Sequence, residues 1–94
     1  MIERKFDYHS QKDNSSGTLT LTLFVPEPTQ ENDWECKYIL KLPEKSIEGK
    51  LIGVDGFQAL LLAMKTAKTL LINYAAKNQV TVTWLGMNNI GLEL

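Results

Sequence analysis

Few residues in this chain have the types needed for chemistry. His9 is the single histidine and Cys36 the single cysteine. Ser10 follows His9, but adjacent side chains on an extended chain point apart, so that neighbourhood makes no nucleophile and base pair, and a solvated loop histidine is the ordinary reading. Cys36 falls on the apolar row of a strand pattern, where a free cysteine acts as a small hydrophobe; a catalytic thiolate needs His or Lys support. One His, one Cys and scattered carboxylates show no metal-ligand spacing, and Gly53, Gly56 and Gly86 form no phosphate loop. Asp55 could serve as a general base, yet its place ahead of a helix gives it a capping role. The residue inventory therefore points away from an enzyme, with no catalytic residue, metal or cofactor to assign.

One cluster is less ordinary. In the stretch PEPTQENDWE, Glu27, Glu31, Asp33 and Glu35 occur with no Lys or Arg among them. Residues 1–48 carry nine acids and six bases, and residues 49–94 two acids and four bases, so the chain is mildly polarised. A solvated acidic loop explains this at no cost. A surface that meets a basic partner is the sharper reading, and these four acids are its candidate partner-binding residues.

The elements that must position these residues follow from periodicity. Gly53 to Asn78 is the strongest segment. Asp55 and Gln58 make a capping box, and Phe57, Leu60, Leu61, Met64, Ala67, Leu71, Tyr74 and Ala75 form the expected buried stripe of a helix of about six turns. Leu62 and Ala63 widen the apolar face beyond what one sheet covers, so a chain terminus or a dimer contact is expected over them. Ile2 to Tyr8, Thr18 to Val25 and Trp34 to Leu42 alternate as strands, the second with Leu19, Leu21, Leu23 and Val25 on one face. The third turns Trp34, Cys36, Tyr38, Leu40 and Leu42 one way, with Ile39 the apolar exception on the other side. HSQKDNSSG reads as a hairpin loop and PEPTQEND as a projecting loop broken by its prolines. Ser46 to Ile52 is either a fourth strand or an irregular crossing. Gln79 to Leu85 is a last strand that brings Val80, Val82 and Trp84 to the core, Gly86 with Asn88-Asn89 makes a turn, and Ile90 to Leu94 is a short apolar tail.

These elements imply an α+β fold: a mainly antiparallel sheet of four to five strands with one long helix packed across one face, in a single domain spanning 1–94. Ninety-four residues are enough to bury roughly 60 to 70 per cent of the unfolded chain's surface without a staple. Ten Lys plus Arg against eleven Asp plus Glu, with a pI near 5.7, leave no basic excess for nucleic acid. The charged start MIERKFDYHS and the absence of a long apolar run argue against a signal peptide and a membrane span. A single cysteine suits a reducing compartment, so the expected location is cytoplasmic.

The segment from Gly53 through Asp55 and Gln58 to Leu60, the strand Trp34-x-Cys36-x-Tyr38 and the closing Trp84-Leu85-Gly86 together resemble a family of small bacterial domains of unknown function. That family has a G-x-D-x-x-Q-A-L helix start and a C-terminal W-L-G. The resemblance implies a fold and a bacterial source, with no activity to carry over. Small stand-alone α+β proteins of this type are similar to immunity proteins that neutralise polymorphic or contact-dependent toxins by direct binding. The expectation is a non-enzymatic binding protein with a protein partner, a basic toxin domain being the specific form. The alternative is a small structural or accessory domain acting as a homodimer through its helix.

Overall fold

The structure, a computed structural model, describes residues 1–87 and Leu92. In chain order it contains β1 (Ile2–Ser10), β2 (Ser16–Leu23), β3 (Glu27–Pro28), β4 (Trp34–Lys41), β5 (Ser46–Gly53), α1 (Gly56–Asn78) and β6 (Val80–Thr83). All pairings are antiparallel. β5 pairs β4 along its whole length, so β2 and the two-residue β3 share the other edge of β4; β1 then joins β2, and β6 closes on β1. The sheet therefore runs from β5 at one edge to β6 at the other, with α1 packed on one face, and the fold is α+β.

The alternating rows build the core as their period demands. Phe6 of β1, Leu19, Leu21 and Leu23 of β2, and Cys36, Tyr38 and Leu40 of β4 are buried on the helix side, with Leu42 just beyond. Undecided from sequence, residues 46–52 form a full strand, with Ile47 and Leu51 packed against the core. Its inward row is diluted by glycines because neighbours fill their space. A Cβ on Gly49 would lie 2.6 Å from Tyr38 Oη, and one on Gly53 would lie 2.5 Å from the backbone nitrogen of Ala59.

The helix begins as its sequence demands. The Asp55 side chain accepts from the Gln58 N–H at 2.8 Å, and the Gln58 side-chain oxygen accepts from Val54 N–H at 2.7 Å. This reciprocal cap closes one residue earlier than the usual box, in which Gln58 would return to Asp55 itself. At the other end Gln79 takes a left-handed conformation, φ 53°, and donates its N–H to Ala75 O, so one residue suffices to reverse the chain into β6. Because β5 and β6 are opposite edges, α1 crosses the whole sheet. Its 23 residues span about 35 Å at 1.5 Å per residue.

The helix stripe differs from the one its bulky residues suggest. Ala59, Ala63, Ala67 and Leu71 are the buried positions, four residues apart, while Phe57 is 81 % exposed and Leu61 44 %. Leu60, Met64 and Tyr74 flank the alanines, partly buried. Alanines at the centre let the helix axis approach the sheet closely, and the larger side chains then pack along the flanks. Leu92 is also buried and shares a small cavity with Leu21, Leu23 and Met64, while Ala63, expected to need a cover of its own, lies in the row packed on the sheet.

Three further expectations are corrected. The stretch PEPTQEND contains β3, which pairs Glu27 with Glu35 and Pro28 with Trp34, so part of it belongs to the sheet. Val25 is 69 % exposed and does not continue the inward row of β2. Trp84 packs against the core yet stays half-buried, with the Arg4 guanidinium 3.8 Å from its ring centroid, a cation–π contact at the sheet's end. Leu85 and Gly86, at φ 53° and 78°, form a tight turn that bonds Trp84 to Met87. The expected turn at Asn88-Asn89 lies outside the described residues, as does the tail from Ile90 to Leu94 apart from Leu92.

Candidate functional site

Among the described residues one helix covers one face of the sheet. On the opposite face of the sheet no second layer is packed among the described residues, and the outward rows are exposed or half-buried apart from Thr22. There β4 presents Glu35, Lys37 and Ile39, β5 presents Glu48 and Lys50, and the end of β2 leads to Phe24 and Val25. Together with Glu27 they line a shallow cavity of about 540 Å³. Its floor is apolar, formed by Phe24, Val25 and Ile39, and its rim is charged.

The strand register sets the electrostatics of that rim. Glu27 stands directly opposite Glu35, and Lys37 directly opposite Lys50. Like charges placed across from one another in a sheet are destabilising. The conflict is eased along the diagonal, where Lys50 Nζ lies 3.3 Å from Glu35 Oε2. The Lys50 side chain is 60 % exposed and that of Glu35 20 %, so the pair falls among surface ion pairs worth about 0 to 1 kcal/mol. Since Lys50 serves Glu35, Glu27 extends the negative charge toward solvent at the end of the cavity nearest β3.

Of the four acids singled out by sequence, the fold brings two together. Glu27 and Glu35 meet on the open face. Asp33 is half-buried and accepts the Thr29 hydroxyl, while Thr29 N–H donates to Asp33 O at 2.8 Å, so Asp33 closes the turn after β3. Glu31 is exposed at that turn, its N–H donating to Thr29 Oγ1 at 3.1 Å. Phe24, Lys37, Glu48 and Lys50 were not marked by sequence. The apolar Ile39 and Phe24, each on an otherwise polar row, were the visible signals for this floor.

The groups with chemical potential are placed elsewhere. His9 does gain a serine, but from the other strand of the hairpin: His9 pairs with Ser16, and Nδ1 lies 3.0 Å from Ser16 Oγ. Both residues are exposed, and among the described residues no carboxylate accepts from the imidazole to orient it. The arrangement lacks the ordered base that activation of a serine requires. Cys36 is buried beneath the open face, its thiol donating to Phe24 O at 3.3 Å, and burial raises its pKa. A thiol held protonated in this way is a poor nucleophile. Asp55 is engaged by the helix N-terminus. Among the described residues no three His, Cys, Asp or Glu side chains are grouped to hold a metal ion, and no helix is long and apolar enough to cross a membrane.

Comparison with curated proteins and with solved structures finds no match to this chain. Comparison with protein families matches residues 2–94 to the family described as Domain of unknown function (DUF6968). That match spans nearly the whole chain, and the chain belongs to the DUF6968 family.

Proposed function

We propose that this domain is a non-enzymatic binding protein whose open sheet face receives a basic segment of a protein partner. The observation that carries the reading is the cross-strand pair Glu27 and Glu35, two carboxylates directly opposite each other beside an apolar floor. A partner lysine or arginine placed between them would relieve their repulsion, while an adjacent apolar side chain rests on Phe24 and Ile39. Toxin immunity is the specific form proposed, by likeness of type: a small protein that covers the basic cleft of a secreted toxin needs such an acidic, concave face. The alternative, an accessory domain that dimerises through its helix, draws its support from the exposure of Phe57 and Leu61 on α1.

The test is a titration of the purified protein against the product of the adjacent gene at two salt concentrations, repeated with Glu27→Lys and Glu35→Lys together. Rim charges act chiefly on association rate. The expected result is slower association of the variant with a flatter response to ionic strength, and loss of protection when the toxin is co-expressed. An adjacent product that fails to bind would remove the immunity reading; binding that ignores both salt and the reversal would remove the acidic face as its site.

A further inference from the structure

β5 is an edge strand with an unusual sequence. It pairs β4 along one side, and no described strand pairs the other. Its eight residues contain no proline, and their pairing with β4 proceeds one for one without a bulge. Alternate backbone N–H and C=O groups along such an edge point outward with no partner strand, which is the template for adding another strand.

The residues Ile47-Glu48-Gly49-Lys50-Leu51 are complementary to themselves. If a second copy of β5 is laid antiparallel against the first and centred on Gly49, Glu48 of each copy stands opposite Lys50 of the other, and Ile47 opposite Leu51. Ile47 and Leu51 lie on the helix side in both copies, so the joined sheet keeps both helices on one face. Glu48 and Lys50 lie on the open face and are exposed. Neighbouring registers are disfavoured by the same charges: a slip of two residues sets Glu48 against Glu48 in one direction and Lys50 against Lys50 in the other. At the axis two glycines face each other with no side chain between them, and the ring of Tyr38 already covers Gly49 from within.

We infer that the chain associates with a second copy of itself through β5, in a closed two-fold pair with one continuous sheet. Such a pair sets the two open cavities side by side, since Glu48 and Lys50 line each of them. The inference is independent of the basic-partner reading above.

Sedimentation velocity across a concentration series tests it with charge reversals at exposed positions. Glu48→Lys alone and Lys50→Glu alone each convert two attractive cross-strand pairs into two repulsive ones, so each should weaken association by about tenfold or more. The two single variants mixed in equal amounts should recover assembly, because each then offers the other its complement, and the double exchange Glu48→Lys with Lys50→Glu should self-associate like the original chain. Circular dichroism checks that each variant is folded. A chain that stays monomeric throughout the series overturns the inference. So does a dimer indifferent to the single reversals but lost with Phe57→Asp, which would place the contact on the helix, or a mixture that fails to recover.

Discussion

At the junction between β5 and α1 the two backbones approach closely, and a glycine series measures it. A Cβ added to Gly53 would fall 2.5 Å from Ala59 N, 3.0 Å from Ala59 Cα and 3.0 Å from the Gln58 carbonyl carbon. These are backbone atoms of the first helical turn, which is pinned by the Asp55 and Gln58 cap, so they cannot rotate aside as a side chain would. Overpacking of this kind costs about 1 to 3 kcal/mol, and the loss of chain freedom in the unfolded state returns about 0.4 to 1 kcal/mol when glycine becomes alanine. Gly53→Ala should therefore lose about 1 to 2 kcal/mol net, a fall in Tm of roughly 5 to 15 °C for a domain of this size. Gly56→Ala is the internal control. There the new Cβ meets Trp34 and Pro26 at 3.5 and 3.7 Å, ordinary contact distances, inside the first helical turn. It should raise Tm by several degrees through about 0.4 to 1 kcal/mol. Thermal melts of the three proteins followed by circular dichroism decide the matter. If Gly53→Ala melts at or above the original temperature, the helix is not seated on β5 as described.

Two more outcomes follow from the same structure. Asp55→Ala removes the acceptor for Gln58 N–H and should cost about 0.5 to 2 kcal/mol, read as a lower urea midpoint with partner binding retained; an unmoved midpoint refutes the cap. Burial holds the Cys36 thiol protonated above its ordinary range, so the unfolded chain loses that proton first as pH rises, and the stability this provides is complete below the unfolded thiol's pKa and declines above it. Urea midpoints should fall as pH rises past the unfolded thiol's value of about 8.5, and Cys36→Ala should flatten that decline while lowering the midpoint at neutral pH; equal slopes for both proteins would refute the assignment. The Tyr74 hydroxyl, raised by burial and then by Glu44, leaves a residual slope at the alkaline end in both.

Much of the fold was legible in the sequence because its signals are local. The cap at Asp55, the alternation of Leu19, Leu21 and Leu23, and the Trp34 to Leu42 row each depend on residues within a few positions of one another. Where the local pattern misleads, the missing information lies across the structure. Bulk suggested Phe57 and Leu61 for the buried stripe, but close approach to a sheet selects small residues, and Ala59 and Ala63 joined the expected Ala67 and Leu71 there. β5, Ser46–Gly53, hid its alternation because two inward positions, Gly49 and Gly53, are glycines, and only the Tyr38 ring and the Ala59 backbone explain why nothing larger fits there. His9 met its serine through the hairpin, from seven residues away.

The open face was the least legible part, and a single inserted residue accounts for it. Leu23 pairs with Tyr38 and Glu27 with Glu35, so three residues, Phe24 to Pro26, span the interval that two residues, Cys36 and Lys37, occupy on β4. This is a β-bulge. Phe24 N–H still reaches Lys37 O at 3.0 Å, and Pro26, which has no N–H to offer, sits where the ladder lapses. Strict alternation from Leu19 onward would turn Val25 and then Glu27 inward, placing a carboxylate beneath the helix, where burial without a partner is costly. The extra residue reverses the parity. It moves Val25 onto the exposed surface and turns Glu27 outward against Glu35, so the Glu27 and Glu35 pair and the apolar floor beside it arise from one change of register. Composition alone had marked the acids, but only the pairing determines which of them share a face.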